Sequence, residues 1–103
     1  MNWLREAKKW TEKEQDALCE EAKAKFGKDF WCKPGHEWGQ NAIFWTGESA
    51  IMADGLEAYD TYAMDPKETI YVMGIHKDLI KWAESKKIFL EPYDAGTLIG
   101  YPA

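Results

Sequence analysis

The segment His76-Lys77-Asp78 holds the side chains whose position in the sequence most favours ligand chemistry. It follows an apolar run that predicts a β-strand, and it begins a predicted helix, where the carboxyl ends of strands commonly hold ligands. Free N–H groups at a helix start bind anions, so residues 76–79 are a candidate site for a small anionic ligand. The plainer interpretation, which we prefer, is that His76 caps the helix and Asp78 interacts favourably with its dipole.

A thiol and an imidazole lie close together in Cys32-Lys33-Pro34-Gly35-His36. Cys19 and His76 would complete a Cys₂His₂ donor set for zinc, but the spacing matches no recognised zinc pattern. A catalytic pair of Cys32 and His36 would need a third residue to orient the imidazole, and none is identifiable. The sequence also contains none of GxGxxG, GxxxxGK[ST], GxSxG or HExxH. We therefore expect no metal, no cofactor and no catalytic residue, and predict that the chain is not an enzyme.

Aromatic residues make up 15% of the chain, a large share for 103 residues. Several of them lie in the stretch 28–41, where proline and glycine predict an irregular loop. Because a small domain has a high surface-to-volume ratio, we expect some of these rings to stay exposed. Trp31 and Trp38 are therefore candidate partner-binding residues, since exposed aromatic side chains often mark interfaces. The alternative is that they belong to the core.

The formal net charge of -5 is concentrated in the middle third of the chain. Residues 41–75 contain one basic residue, Lys67, against six acidic ones. An acidic field of this kind attracts basic surfaces and repels nucleic acid, so we expect a protein partner with a basic surface and no nucleic acid. The simpler alternative is a solvated surface. The candidate partner-binding residues in this segment are Glu48, Asp54, Glu57 and Asp60.

Two helices are predicted. Thr11 and Glu14 have the spacing of a capping box, which predicts a helix over 12–26 that ends at Gly27. The second helix is predicted over about 77–86, with His76 at its N-cap.

Strand-forming residues and turn signals predict an antiparallel meander followed by one parallel connection. The predicted turns are Gly47-Glu48, Asp54-Gly55 and Asp94-Ala95-Gly96. The apolar run 69–75 predicts a central strand buried on both faces, and 76–87 is long enough for a parallel crossover. The predicted strands are 42–46, 49–53, 56–64, 69–75, the strand that begins at 88–90, and 97–101. For 56–64 a helix is the alternative, because Leu56, Tyr59 and Tyr62 also fit a helical spacing. We therefore predict a single α+β domain over 1–103, with one mixed, mostly antiparallel sheet packed against two helices.

We expect no export signal and no membrane-spanning segment in this chain. Its first nine residues contain charges where a signal peptide needs an apolar run, and no stretch approaches the ~20 apolar residues of a spanning helix. Two cysteines do not form the disulfide framework of a small secreted domain. We expect a cytoplasmic protein with no membrane partner.

The turn segment Glu91-Pro92-Tyr93-Asp94-Ala95-Gly96-Thr97, in the last third of the chain, resembles small bacteriophage-encoded proteins of unassigned function. The resemblance implies a phage origin, and small acidic phage proteins often resemble inhibitors of host defence or host enzymes. It assigns no functional residue.

Together these observations predict a non-catalytic protein-binding or inhibitor module. The alternative is an oligomeric binder of a small nucleotide-like ligand. In that case the aromatic loop of one subunit of a homo-oligomer would face His76, Lys77 and Asp78 of another, so that rings hold the base and N–H groups the phosphate.

Overall fold

The elements of the fold are taken from a computed structural model, which describes residues 9–27, 30–46, 50–61 and 69–103. In chain order they are α1 (Glu12–Phe26), β1 (Lys33–Pro34), a 3-10 helix (Gly35–Trp38), β2 (Ile43–Thr46), β3 (Tyr71–Val72), β4 (Ile75–His76), α2 (Lys77–Ser85), β5 (Ile88–Asp94) and β6 (Thr97–Pro102). The predicted α+β class is confirmed.

Helix α1 begins and ends where the sequence predicts. The Thr11 hydroxyl accepts a hydrogen bond from the Glu14 N–H at 3.0 Å, and the Glu14 carboxylate accepts one from the Thr11 N–H at 2.8 Å. This reciprocal pair satisfies two N–H groups that a helix start leaves without partners. Gly27, at φ 121°, takes the chain out of the helix.

The main sheet has four strands in the order β1-β2-β6-β5, and every pair is antiparallel. Strands β5 and β6 form the predicted hairpin around Asp94-Ala95-Gly96, where the Asp94 side chain accepts a hydrogen bond from the Gly96 N–H at 2.9 Å. Strand β2 pairs with β6, which lies more than 50 residues away in the sequence. A long-range contact therefore joins the two halves of the sheet.

The predicted return strand 49–53 is wrong, because β2 takes its partners from β1 and β6. Ala50 and Ile51 form only isolated bridges, with Phe30 and Glu57 respectively. The proposed turn Gly47-Glu48 lies outside the described residues.

The region after Asp54-Gly55 also differs from the predicted third strand 56–64. Gly55 turns the chain at φ 86°, but Asp54 does not share a positive φ, so this is not the predicted type I′ turn. Beyond it only isolated bridges form in 56–61, and residues 62–64 lie outside the described chain.

The predicted central strand 69–75 is wrong and is replaced by a short hairpin of β3 and β4. Met73 and Gly74 both have positive φ, 55° and 82°, as the central residues of a type I′ turn require, so the apolar run reverses direction there. This hairpin forms a separate two-stranded sheet, so no parallel crossover joins β4 to β5. The interval 76–87 contains α2, and His76 is its N-cap as predicted.

The core lies between the inner face of the four-stranded sheet and the two helices. Trp82 of α2 packs edge-on against Phe26 of α1 and Trp45 of β2, with ring centroids 6.2 and 6.5 Å apart. A Cβ at position 100 would lie 2.9 Å from the Trp45 ring, so Gly100 lets β6 approach that ring closely. One face of the sheet is thereby covered, and the site lies on the other.

Candidate interaction surface

The outer face of the four-stranded sheet carries aromatic and apolar side chains. Residues paired directly across antiparallel strands point to the same face. Phe44 pairs with Ile99, and Tyr101 with Phe89, whereas Trp45 and Leu98 pair on the core side. The alternation therefore places apolar side chains both in the core and on an outer face that no described helix covers.

Phe44, Ile99 and Tyr101 border a groove of about 400 Å³. Ile99 forms its floor and is only 4% exposed, although it lies outside the core cluster. Trp38 and Tyr93 rise at its sides and are 56% and 71% exposed. The lining residues are Trp31, Trp38, Gln40, Phe44, Tyr93, Thr97, Ile99 and Tyr101. We call this the aromatic groove.

Trp38 is placed by the 3-10 helix at the end of the predicted aromatic loop. Gly39, in the left-handed region at φ 69°, ends this helix. The Trp38 ring packs edge-on against Phe44 at 5.3 Å between centroids. Trp31 is half-buried and packs against the core while also lining the groove. The two predicted rings therefore line one groove, and Trp31 also packs against the core.

Helix α1 holds the 3-10 helix in place through polar contacts. The buried Gln15 side chain accepts a hydrogen bond from the His36 N–H at 2.8 Å and donates one to the Gln40 carbonyl at 3.3 Å. The His36 ring lies 2.7 Å from the Asp16 carboxylate, and this hydrogen bond raises the pKa of His36 above its ordinary value. The backbone that carries Trp38 is thus tied to a helix.

The acidic candidates Asp54, Glu57 and Asp60 lie together around Tyr71. The Tyr71 hydroxyl donates to the Glu57 carbonyl at 2.8 Å. The Tyr71 ring also packs edge-on against His76, which is bonded to Asp54. Burial and, after it, the charges of these three carboxylates raise the pKa of Tyr71. The fourth candidate, Glu48, lies outside the described residues.

The acidic segment is joined to the turn that borders the aromatic groove. The Tyr59 hydroxyl donates to the Asp94 carbonyl at 3.1 Å, and the Thr61 hydroxyl to the Ala95 carbonyl at 3.2 Å. Tyr93 and Thr97, on either side of this turn, line the groove. Negative charge therefore lies beside one end of the groove.

His76 acts as the predicted N-cap. Its Nδ1 accepts the Asp78 N–H at 3.1 Å, so the proton lies on Nε2, which donates to the Asp54 carboxylate at 2.7 Å. Burial tends to raise the pKa of Asp54, but hydrogen bonds from His76 and the Leu56 N–H together hold it below its ordinary value. With both ring nitrogens bonded, His76 is a structural residue that joins the 54–55 turn to α2.

The backbone at the alternative anion site already has partners within the chain. The N–H groups of His76 and Lys77 donate to the carbonyls of Ala58 and Ile70, at 2.9 and 2.8 Å. The Asp78 N–H is taken by the His76 ring. These three donors are not available to a phosphate.

Cys19 and Cys32 form a buried thiol pair, with their sulfur atoms 3.0 Å apart. The hydrogen bond to Cys19 and burial raise the pKa of Cys32 far above its ordinary value. The two histidines bond to carboxylates elsewhere, and the described residues hold no group of three or more His, Cys, Asp or Glu side chains suited to a metal ion.

Comparison with family models, with curated proteins and with solved structures finds no match to this chain. The evidence for function is therefore the geometry itself. Within the described ranges, no helix is long and apolar enough to cross a membrane.

Sequence reasoning missed the groove residues supplied by the sheet: Phe44, Tyr93, Thr97, Ile99 and Tyr101. A signal for some of them was present, because Thr97, Ile99 and Tyr101 alternate with Leu98 and Gly100, the period of a two-faced strand. An alternating strand with apolar residues on both faces indicates a covered inner face and an apolar outer one.

Proposed function

We propose that this chain is a non-catalytic module that binds a protein partner through the aromatic groove. The observation that carries the proposal is the groove of about 400 Å³ on the outer sheet face, in which Trp38 and Tyr93 stay largely exposed. Contiguous exposed aromatic surface costs free energy in a monomer, and it mainly occurs where a partner covers it. Trp and Tyr are also the residues that dominate binding energy at interfaces.

Charge supports a partner with a basic surface. Asp94 and the neighbouring segment that carries Asp60 lie at the Tyr93 end of the groove, and Glu91 shares the outer face with Ile99. The same face also carries a basic side chain, Lys33, which lies beside Phe44. With a chain total of -5, the long-range field favours basic proteins and disfavours nucleic acid.

In its specific form the proposal is an inhibitor that covers a functional surface of a host enzyme or host defence protein, as the resemblance to phage proteins implies. Its site of action is the cytoplasm, where a pair of reduced thiols such as Cys19 and Cys32 persists. The contacts at residues 76–78 do not favour the alternative of a nucleotide-like ligand, so we do not carry that function forward.

The groove is tested by Trp38→Ala. We expect the dissociation constant for the partner to rise at least about thirtyfold, because a tryptophan that anchors an interface typically contributes about 2 kcal/mol or more. The free energy of unfolding should fall by less than about 1 kcal/mol, since the ring is mostly exposed and loses chiefly its contact with Phe44.

The measurement is affinity capture from a host lysate, identification of the captured protein, and calorimetric titration of that purified protein with each variant. Lys13→Ala, a change of an exposed side chain on α1, is the matched control and should bind as the parent does. Equal affinities for Trp38→Ala and the parent would show that the aromatic groove does not bind the partner.

A further inference from the structure

Strand β5 ends the four-stranded sheet, and the direction of its backbone groups can be determined. The Ala103 N–H donates to the Lys87 carbonyl at 2.9 Å, so that carbonyl faces β6. Because a peptide is planar and trans, the Ile88 N–H points away from β6, and the alternation continues along the strand. The N–H and C=O groups of Leu90 therefore face the outer edge of the sheet, where no described residue pairs with β5.

An apolar groove of about 260 Å³ runs beside this edge, between β5, α2 and the tip of the β3–β4 hairpin. Met73 and Phe89 border it and are 83% and 56% exposed, which is unusually high for large apolar side chains. Ile80, Ala83, Ile88 and Leu90 supply further apolar surface. We call it the edge groove. It does not share a residue with the aromatic groove.

We propose that β5 accepts an extended segment of a basic protein partner as an added fifth strand, with alternate side chains of that segment entering the edge groove. In strand addition the backbone hydrogen bonds provide affinity, and pockets for alternate side chains provide specificity. Both features coincide here, since the outward N–H and C=O groups of Leu90 adjoin an apolar groove.

Charge selects a basic partner over a second copy of this chain. Residues 88–103 contain Glu91 and Asp94 and no lysine or arginine. Two copies of the chain, each with a net charge of -5, would repel one another. A lysine or arginine in the added segment would lie close to Glu91 and be attracted to it.

Pro92 limits where the segment pairs. By the same alternation its nitrogen lies on the outer edge, where proline has no N–H to donate, as is common on edge strands. Pairing is therefore confined to Ile88–Glu91, before the irregularity between Pro92 and Asp94. This inference concerns a different surface from the proposed function and shares with it only the charge of the partner.

The test uses the ¹⁵N-labelled full chain and a capped peptide that alternates valine with threonine and has a lysine at each end. We expect the peptide to slow hydrogen exchange of the Leu90 N–H at least about tenfold. Two N-methylated peptides are the matched pair, one methylated at every valine and one at every threonine. Because alternate N–H groups face one edge, one of the two should lose binding and the other keep it.

Two variants test the side chains and the charge. Phe89→Ala should weaken binding of the unmodified peptide several-fold, on the order of one lost apolar contact. Glu91→Lys should weaken it too, and should strengthen binding of the same peptide with glutamate in place of lysine. Equal binding of the two methylated peptides, or unchanged exchange at Leu90, would overturn the proposal. So would protection of Leu90 that grows with protein concentration alone, because the occupant would then be a second copy. Binding at the aromatic groove is tested separately, by Trp38→Ala.

Discussion

At the scale of single residues, the two histidines have different surroundings and different roles. His76 is buried and its ring is fully bonded to Asp54 and the Asp78 N–H, so it fixes the start of α2. His36 is partly exposed and forms a close pair with Asp16. The first fixes the start of a helix, and the second forms a pair whose strength depends on pH.

The His36–Asp16 pair should make stability depend on pH near neutrality. The hydrogen bond with Asp16 raises the folded-state pKa of His36 above its unfolded value of about 6.5. The stabilisation is therefore complete below about pH 6 and is lost as pH rises through the folded-state pKa. Urea unfolding of the parent and Asp16→Asn from pH 5.5 to 8.5 measures it. As the pH rises, the free energy of unfolding of the parent should fall relative to that of the variant. If the two free energies change in parallel with pH, the prediction is contradicted.

At the scale of elements, the local signals in the sequence predicted the structure well. The capping box of α1, the His76 cap of α2 and the β5–β6 turn each depend on neighbours within a few residues, and all three form as predicted. The return strand 49–53 failed because nothing local encodes that β2 pairs with β6. The apolar run 69–75 failed because composition predicts burial but does not reveal the reversal at Met73-Gly74.

The capping box gives an element-scale prediction. Thr11→Ala removes the oxygen that accepts the Glu14 N–H, so the free energy of unfolding should fall by about 1 kcal/mol. Thr11→Ser keeps that oxygen and is the matched control, with a much smaller loss expected. Urea denaturation followed by far-UV circular dichroism measures both, and equal losses for Ala and Ser would show that the hydroxyl is not responsible.

The candidate site was predicted only in part, because the sequence does not reveal which strands pair with one another. Trp31 and Trp38 were identified because aromatic residues are conspicuous in a loop rich in proline and glycine. Tyr93 and Tyr101 join them only through the register of β5 and β6, a property of the folded sheet. Asp54, chosen as a surface charge, is 43% exposed and is also the partner of buried His76, so reversing its charge would damage the fold.

At the scale of the whole molecule, the net charge of -5 should govern how fast a basic partner associates. Raising NaCl from 50 to 500 mM shortens the range of electrostatic attraction from roughly 14 Å to roughly 4 Å. The association rate constant should fall about tenfold or more, while the dissociation rate constant changes little. Stopped-flow mixing with the captured partner measures both, and a salt-independent association rate would contradict a basic partner.

The uneven burial of the tryptophans has an optical consequence. Trp45 and Trp82 are 0% and 3% exposed, whereas Trp38 stands 56% exposed in the aromatic groove. Indole emission shifts to shorter wavelength when water is removed from the ring, so the two buried rings emit the same light whether or not the groove is filled. Trp38 alone of these three changes its surroundings when a partner docks, and the protein therefore carries an intrinsic fluorescent reporter of its own occupancy.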